Sequence, residues 1–296
     1  MQIGVIGFPD SWYVAELQRA AEQLGHVCQP LEFPAISAFV GSRDARIECG
    51  VIDLAAFDAV IVRTLPPGSL EQVVVRMDLL ARLEAQGTIV LNSPKAIECA
   101  VDKFLTTARL ASAGLPVPRT VVCESSERAL EAFEQLGGDV VVKPIFGAEG
   151  RGIFRVSDPD LAVRSFRAIE RTAGVIYLQE FVAHPGFDTR ILVLDGRVLG
   201  GMRRTSDDFR TNIARNGRGE ACLLTDEHCD LALRAAAETG SRFAGIDLLQ
   251  RQDSRLLVLE VNAVPGWKAF TRVTGIDVAQ EVIRSLERSR LQASTA

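Results

Sequence analysis

Residues 245–267 read "GIDLLQRQDSRLLVLEVNAVPGW". Two apolar runs flank a short polar stretch, the pattern of a β-hairpin with buried strands. Asp247, Glu260 and Asn262 stand among the aliphatic residues, where polar groups need a partner. Side chains two apart in a strand share a face, so Glu260 and Asn262 point the same way. A turn centred between Asp253 and Ser254 sets Asp247 directly across from Glu260, with Cβ atoms roughly 5 Å apart. Two carboxylates so close repel each other. A divalent cation would relieve that repulsion. Two carboxylates and an amide oxygen are hard ligands that suit Mg2+ or Mn2+. The alternative is a solvated sheet surface where both acids pair with arginines, and the aliphatic flanks speak against it.

Mg2+ in such sites usually also holds substrate phosphates, which directs attention to a phosphate cradle. "VVVKPIFGAEGRGIFRV" (140–156) reads as a strand carrying Lys143, a loop with Gly147, Gly150 and Gly152, and a second strand. Glycines let backbone N–H groups approach phosphate oxygens. No GK[ST] follows and a strand replaces the helix, so this is not a Walker A loop; read alone, it is equally a flexible turn. "YLQEFV" (177–182) offers a strand whose exposed backbone could meet an adenine edge, and Asp188, eight residues beyond Glu180, is a candidate for ribose hydroxyls. The segment 201–219 gathers Arg203, Arg204, Arg210, Arg215 and Arg218. Arginines so grouped clamp phosphate or carboxylate, or form a solvated loop.

The rest of the chain sets the frame. Its 296 residues suggest two or three packed units. A net charge of −5 argues against a nucleic-acid binder. Six scattered cysteines without a CxxC pair read as reduced thiols. "MQIGVIGFPD" begins a strand, not a signal peptide, and no run is long enough to span a bilayer, so a cytoplasmic location is expected. Strands at 2–7, 56–64 and 88–93 alternate with helices at 12–24 and 70–87, a parallel α/β unit over 1–92. "GVIGFPD" lacks a full GxGxxG fingerprint, and its glycines read as a strand end. Helices then fill much of 93–120. Strands and helices alternate to the hairpin, with helices expected at 158–173, 226–243 and 277–290 and a disordered tail at 291–296. Trp267 and Lys268 lie beside the proposed metal strand, as substrate contacts or, for Trp267, plain packing.

Taken in order, "DKFLTTARLASAGLPVPRT", "VVKPIFGAEGRGI", "YLQEFV…FDTRILVLDG", "RRTSDDFRTNIARNG" and "GIDLL…LEVNAVPGW" resemble the ATP-grasp superfamily, specifically the RimK-type α-L-glutamate ligases. The resemblance covers about 95–285. It implies an α/β (α+β) fold: a Rossmann-like pre-ATP-grasp domain at 1–92, a central subdomain with the glycine-rich loop at 93–178, and a C-terminal subdomain with the metal site at 179–290. ATP would lie between the two α+β subdomains, with two Mg2+ or Mn2+ ions. Carried over by the resemblance, Lys103 and Lys143 contact phosphates, Glu180 and Phe181 lie on the adenine side, and Asp188 meets ribose. Arg210 and Asn212 touch nucleotide, and Asp247, Glu260 and Asn262 bind metal. Arg203 and Arg204 would lie near an acylphosphate.

The implied reaction activates a carboxylate with ATP and lets an amine displace phosphate. The amino acid would be glutamate or a relative. The acceptor would be a pterin such as tetrahydromethanopterin, a deazaflavin cofactor or a protein C-terminus, with a homo-oligomer possible for this branch. Gly245 stands where D-alanine ligases carry an arginine, which weakens that reading, while "PGWKAFTRVTGID" agrees with the RimK style. The alternatives are an ATP-grasp kinase and a non-catalytic nucleotide-binding module.

Overall fold

The aliphatic strand β1 (Gln2–Ile6) is the axis of the N-terminal unit. After it come α1 (Trp12–Gln23), β2 (Val27–Leu31), β3 (Ile36–Val40), β4 (Ala45–Cys49), β5 (Ile52–Asp53), β6 (Ala59–Val62), α2 (Leu70–Ala85) and β7 (Ile89–Leu91). The computed structural model describes residues 1–42, 45–147, 150–206 and 218–295. One sheet has the order β2-β1-β6-β7, all parallel. β6 is buried on both faces, as continuous apolar runs in parallel sheets are. The expectations for β1, α1, α2, β6 and β7 hold. β2 and the antiparallel sheet β3-β4-β5 were not expected. Their strands are short and mostly exposed, with Leu31 of β2 and Ile47 of β4 the residues that reach the core beside Met77 and Leu80.

The middle of the chain supplies α3 (Pro94–Val101), α4 (Lys103–Ser112), β8 (Thr120–Cys123), α5 (Ser126–Gln135), β9 (Val140–Lys143), β10 (Phe154–Val156), α6 (Pro159–Arg171) and β11 (Ile176–Glu180). The strands form an antiparallel sheet, β10-β9-β11-β8. Val140, Val142, Ile176 and Leu178 pack against Phe133 of α5 and Phe166 of α6. Strand alternation therefore sends Val141, Lys143, Tyr177 and Gln179 to the other face. β11 runs unbroken through the boundary expected at 178/179.

The third region holds β12 (Phe187–Leu194), β13 (Arg197–Thr205), β14 (Arg218–Cys222), α7 (Asp226–Glu238), β15 (Phe243–Gln250), β16 (Leu256–Asn262), α8 (Lys268–Thr274) and α9 (Val278–Thr295). Its sheet is antiparallel in the order β14-β13-β12-β15-β16. β12 and β13 are joined at Asp195 and Gly196, with φ of 48° and 68°, the left-handed pair that tight hairpins favour. One face packs Ile191, Val193, Ile246 and Val258 against Leu231 and Ala235 of α7. The other buries Leu192 and Leu194 with α8, α9 and α1, then continues into charged residues.

Three boundaries differ from expectation. α7 ends at Glu238, not 243, because Gly240 turns the chain with φ of 68° and frees Phe243 to start β15. α9 reaches Thr295, so residues 291–295 continue a helix where a disordered tail was expected. No glycine or proline interrupts 278–295. The hairpin turn is also shifted. Gln250 faces Leu256 and Leu248 faces Val258, which centres the turn on Asp253. A bulge then skips Leu259, and Asp247 meets Glu260 after all. Without that extra residue Asp247 would oppose Leu259.

Candidate functional site

The free face of the central sheet and the charged face of the C-terminal sheet enclose a cleft. Lys143, Tyr177 and Gln179 line it from one side, and Asp188, Arg204, Asp247 and Glu260 from the other. Lys103, at the start of α4, closes one end against Gly147 and Gly150 of the glycine-rich loop.

Lys103 Nζ donates to the Gly147 carbonyl at 2.8 Å and lies 4.0 Å from Glu260 Oε1, so it spans the loop and the hairpin strand. Lys143 Nζ donates to Gln179 Oε1 at 2.6 Å. The Gln179 amide in turn donates to Thr120 Oγ1 at 3.0 Å. Burial pushes the Lys143 ammonium down to about 8, against the opposing pull of Glu260 and Asp247, while the charge of Lys103 adds to the lowering. Gly150 and Gly152 take φ of 68° and 73°, which side chains resist, and a Cβ at 152 would press on Pro144. The loop therefore keeps its backbone close to the cleft.

The hairpin site is more occupied than the sequence reading supposed. Asp247 is 2% exposed, and its carboxylate pairs with Arg190, whose Nε and Nη2 both reach it. Arg204 Nη2 adds a contact at 2.8 Å to Asp247 Oδ2 and pairs with Asp188 through Nε and Nη2. Burial alone would raise the Asp247 carboxyl, but Arg190 and Arg204 hold it below the usual carboxylate range. Burial would likewise lower Arg204, yet Asp247 and Asp188 push it above the ordinary arginine value. The arginine pairing weighed as the alternative thus holds for Asp247, in a buried setting instead of a solvated one. Asp188 pairs with Arg204 and lines the cleft.

These residues still fit a divalent cation. A carboxylate has about four lone-pair sites, and the hydrogen bonds to Asp247 take three of them. Among the described residues Glu260 pairs with Lys103, at 4.0 Å. Asn262 Oδ1 accepts one hydrogen bond, from the Val264 amide at 3.0 Å. Glu260 and Asn262 are therefore the more available donors, with Asp247 behind them. Among the described residues no group of three or more His, Cys, Asp or Glu forms a metal cluster, in keeping with a two-carboxylate, one-amide set.

Other expected residues are placed differently. Arg203 is not brought to the cleft: it follows the opposite face of β13, over the Phe187 ring at 4.4 Å and 3.6 Å from Glu220. Adjacent strand residues point to opposite faces, which separates Arg203 from Arg204. β11 is not an exposed edge, because β9 and β8 flank it. The Glu180 and Phe181 amides donate to the Arg119 and Asp139 carbonyls, both at 2.9 Å. The Glu180 carboxylate accepts from the Arg119 amide at 3.0 Å and Nε at 2.7 Å. Phe181 lies under the Arg155 guanidinium at 3.5 Å. Both residues do line the cleft. Arg210, Asn212 and Arg215 lie outside the described residues.

Sequence reading missed three residues. Arg190 shares a face with Asp188 by strand periodicity, a signal available in "FDTRILVLDG". It also fills the space beside Gly245, where a Cβ would come within 3.0 Å of its Nη1 and of Pro265 Cβ. Gln179, the anchor of Lys143, was readable only as a polar residue in an apolar strand. Asn92 follows β7 and bonds β15 and the segment after β16: its Nδ2 donates to the Phe243 and Ala263 carbonyls, both at 2.6 Å, and its Oδ1 accepts from the Phe243 amide at 2.9 Å. Trp267, 1% exposed, packs on Tyr13 and Phe243 and is core.

Two antiparallel sheets closing on paired lysines, a glycine-rich loop and an acidic hairpin define a ligase of the ATP-grasp type. The chain belongs to the RimK-like ATP-grasp family, matching its ATP-grasp domain over residues 100–286 and the RimK PreATP-grasp domain over 1–97. It is accordingly an ATP-dependent ligase that forms C–N bonds. It is 33% identical to tetrahydromethanopterin:alpha-L-glutamate ligase of Methanosarcina acetivorans, over 97% of this chain and 98% of that protein. A probable alpha-L-glutamate ligase of Haemophilus influenzae is 32% identical over 79% of this chain and 77% of its own length. The ATP-grasp ligase PsnB, solved with a phosphomimetic variant of its minimal precursor, Mg and ADP, superposes with a TM-score of 0.77 at 25% identity, covering 97% of this chain and 98% of that one. No helix among the described residues is long and apolar enough to cross a membrane.

Proposed function

We propose that this ligase joins L-glutamate to a carboxylate-bearing acceptor by way of an acylphosphate, with a reduced pterin of the tetrahydromethanopterin type as first choice and a protein C-terminus as second. The observation that carries this reading is the meeting of Lys103 and Lys143 with Glu260 across the cleft, beside Asp247. Cations on one wall and acidic oxygens on the other suit a Mg-nucleotide: ammonium groups face phosphate oxygens, and carboxylates face metal. The length-matched relative that acts on tetrahydromethanopterin supports the acceptor class.

In this reading Lys143, held by Gln179, and Lys103, held at the loop, orient the phosphates of ATP. Glu260, Asn262 and the remaining lone pair of Asp247 would hold Mg2+ or Mn2+, with room on Glu260 for a second ion. A bound metal supplies neutralisation of charge on the transferring phosphoryl group. Arg204, fixed by Asp188 and Asp247, presents its guanidinium where an acylphosphate would form; Arg203 is withdrawn from that role. Positioning does the rest, since the acylphosphate is already activated toward an amine.

The test is ADP release from ATP and Mg2+ with L-glutamate and either tetrahydromethanopterin or a peptide ending in glutamate, with products weighed by mass spectrometry. A gain of one dehydrated glutamate on the acceptor, requiring both partners, is the expected result. A phosphorylated product formed without any amine would replace ligation with a kinase reaction.

A further inference from the structure

Arg63 follows β6 directly and is 8% exposed. Its guanidinium lies between two aromatic rings, 4.8 Å from Tyr13 and 4.2 Å from Trp267. Nη2 donates to the Pro265 carbonyl at 2.9 Å, while the buried Nε has no hydrogen-bond partner. No carboxylate pairs with it among the described residues. A buried guanidinium without an anion is costly, and fork-shaped guanidinium groups match carboxylates.

Its place in the fold is informative. In the order β2-β1-β6-β7, the chain winds outward in opposite directions from β1 and β6, so their carboxyl ends flank the switch-point crevice where open α/β sheets bind ligands. Gly7 ends β1 there. A Cβ on it would crowd Val14 Cγ2 at 3.1 Å and would touch Arg63 Cβ at 3.4 Å and Thr64 Oγ1 at 3.6 Å, so glycine lets α1 and the end of β6 approach each other there. The start of α1, capped by Ser11, opens at the same end and favours negative charge. The Pro265–Trp267 segment, which Arg63 grips, begins three residues after Asn262, so the crevice adjoins the hairpin of the cleft. Exposed Lys268 follows, its ammonium 5.5 Å from the Trp12 ring.

We infer that this crevice, formed by Gly7, Arg63, Thr64 and the residues around Pro265, binds a substrate carboxylate other than the one activated by ATP. The inference rests on the ligase reading above and adds the subsite that holds a reactant beside the nucleotide. Both glutamate and a glutamate-ending acceptor carry such a carboxylate. Arg63 provides the charge, Thr64 a hydroxyl, and the aromatic rings keep the guanidinium flat and in place.

The experiment compares steady-state constants of wild type, Arg63→Gln, Arg63→Lys and Thr64→Val, with Tm measured for each. Loss of a charge-assisted hydrogen bond should raise one carboxylate substrate's KM about tenfold or more in Arg63→Gln. The KM for ATP should stay within about twofold, as expected for a contact the nucleotide does not use. Arg63→Lys should recover part of the loss, and Thr64→Val should shift the same KM by less. Whether the KM for glutamate or for acceptor moves identifies the source. Unchanged KM values for both, or a uniform fall in every constant together with Tm, would overturn the inference. Should the Arg63 variants not fold, an unchanged KM in Thr64→Val overturns it alone. Calorimetric titration with glutarate reads the subsite without turnover. Binding to wild type that weakens in Thr64→Val and is lost in Arg63→Gln upholds the subsite even if ligation fails. Absent or equal binding rejects it even if ligation holds.

Discussion

Arg204 and Arg63 are both nearly inaccessible, at 5% and 8% exposure, and their surroundings are opposite. Arg204 is gripped by Asp188 and Asp247, with Arg190 completing a buried quartet. Arg63 has two aromatic faces and one carbonyl, and burial pushes it down to about 10. The first arrangement is balanced before any substrate arrives, which fixes Arg204 and Asp247 in place. The second leaves a cation whose remaining need is an anion. Burial of an arginine is therefore no guide to its role until its partners are counted.

The largest expected effect lies in the quartet. Asp247→Ala leaves Arg190 and Arg204 buried without their shared anion and should cost about 3–5 kcal/mol of stability, read by denaturant unfolding. Arg63→Met removes two cation–π contacts but also a buried charge, and should cost only about 1 kcal/mol. Equal costs for the two would break the contrast drawn here.

Glu260→Ala sharpens it from the functional side. Glu260 is half-buried and among the described residues pairs only with Lys103 at 4.0 Å, so its loss should barely move the Tm. Its loss should nonetheless lower ligation by about 10²–10³, in line with removal of an electrostatic contact to a developing charge. A stable but inactive variant separates the contribution of Glu260 to ligation from that of Asp247 to stability; retained activity would refute the metal assignment.

Lys143 gives a pH test. Burial disfavours its charge and pushes it down to about 8 from the ordinary lysine value of 10.5. The value of kcat/KM for ATP should therefore fall as pH rises through about 8, and Lys143→Arg should remove that limb. Stability should move the other way. Between about 8 and 10.5 the unfolded chain still holds a proton that the folded chain has released, so stability gains with rising pH in that window. Lys143→Met should flatten that rise. The smallest effect is expected for Gln179→Met, which frees the Lys143 ammonium from its 2.6 Å anchor. KM for ATP should rise several-fold, with kcat nearly constant.

Much of the site was legible in the chain. "VVVKPIFGAEGRG" gave the lysine and the glycine-rich loop, and the parity of Asp247, Glu260 and Asn262 gave one acidic face. The pairing of Asp247 with Glu260 came true through a bulge at Leu259 that no periodicity reveals, because hairpin register depends on the turn and on packing beneath it. Arg203 and Arg204 could have been separated by alternation alone. Arg63 could not be read, since its partners, Tyr13, Pro265 and Trp267, are distant in sequence.

By itself the sequence determined which residue types stand on which face of each strand, because alternation, glycine and charge act locally. From those followed the hairpin, the glycine-rich loop and the ATP-grasp resemblance. Only the tertiary structure decided who neutralises whom. It put Arg190 and Arg204 on Asp247, set Asp188 on Arg204 in the wall of the cleft, tied Lys143 to Gln179 and, among the described residues, left Arg63 without an acid. Charge pairing is set by distances of a few ångströms between strands of different regions, and such distances exist only once the sheets have packed.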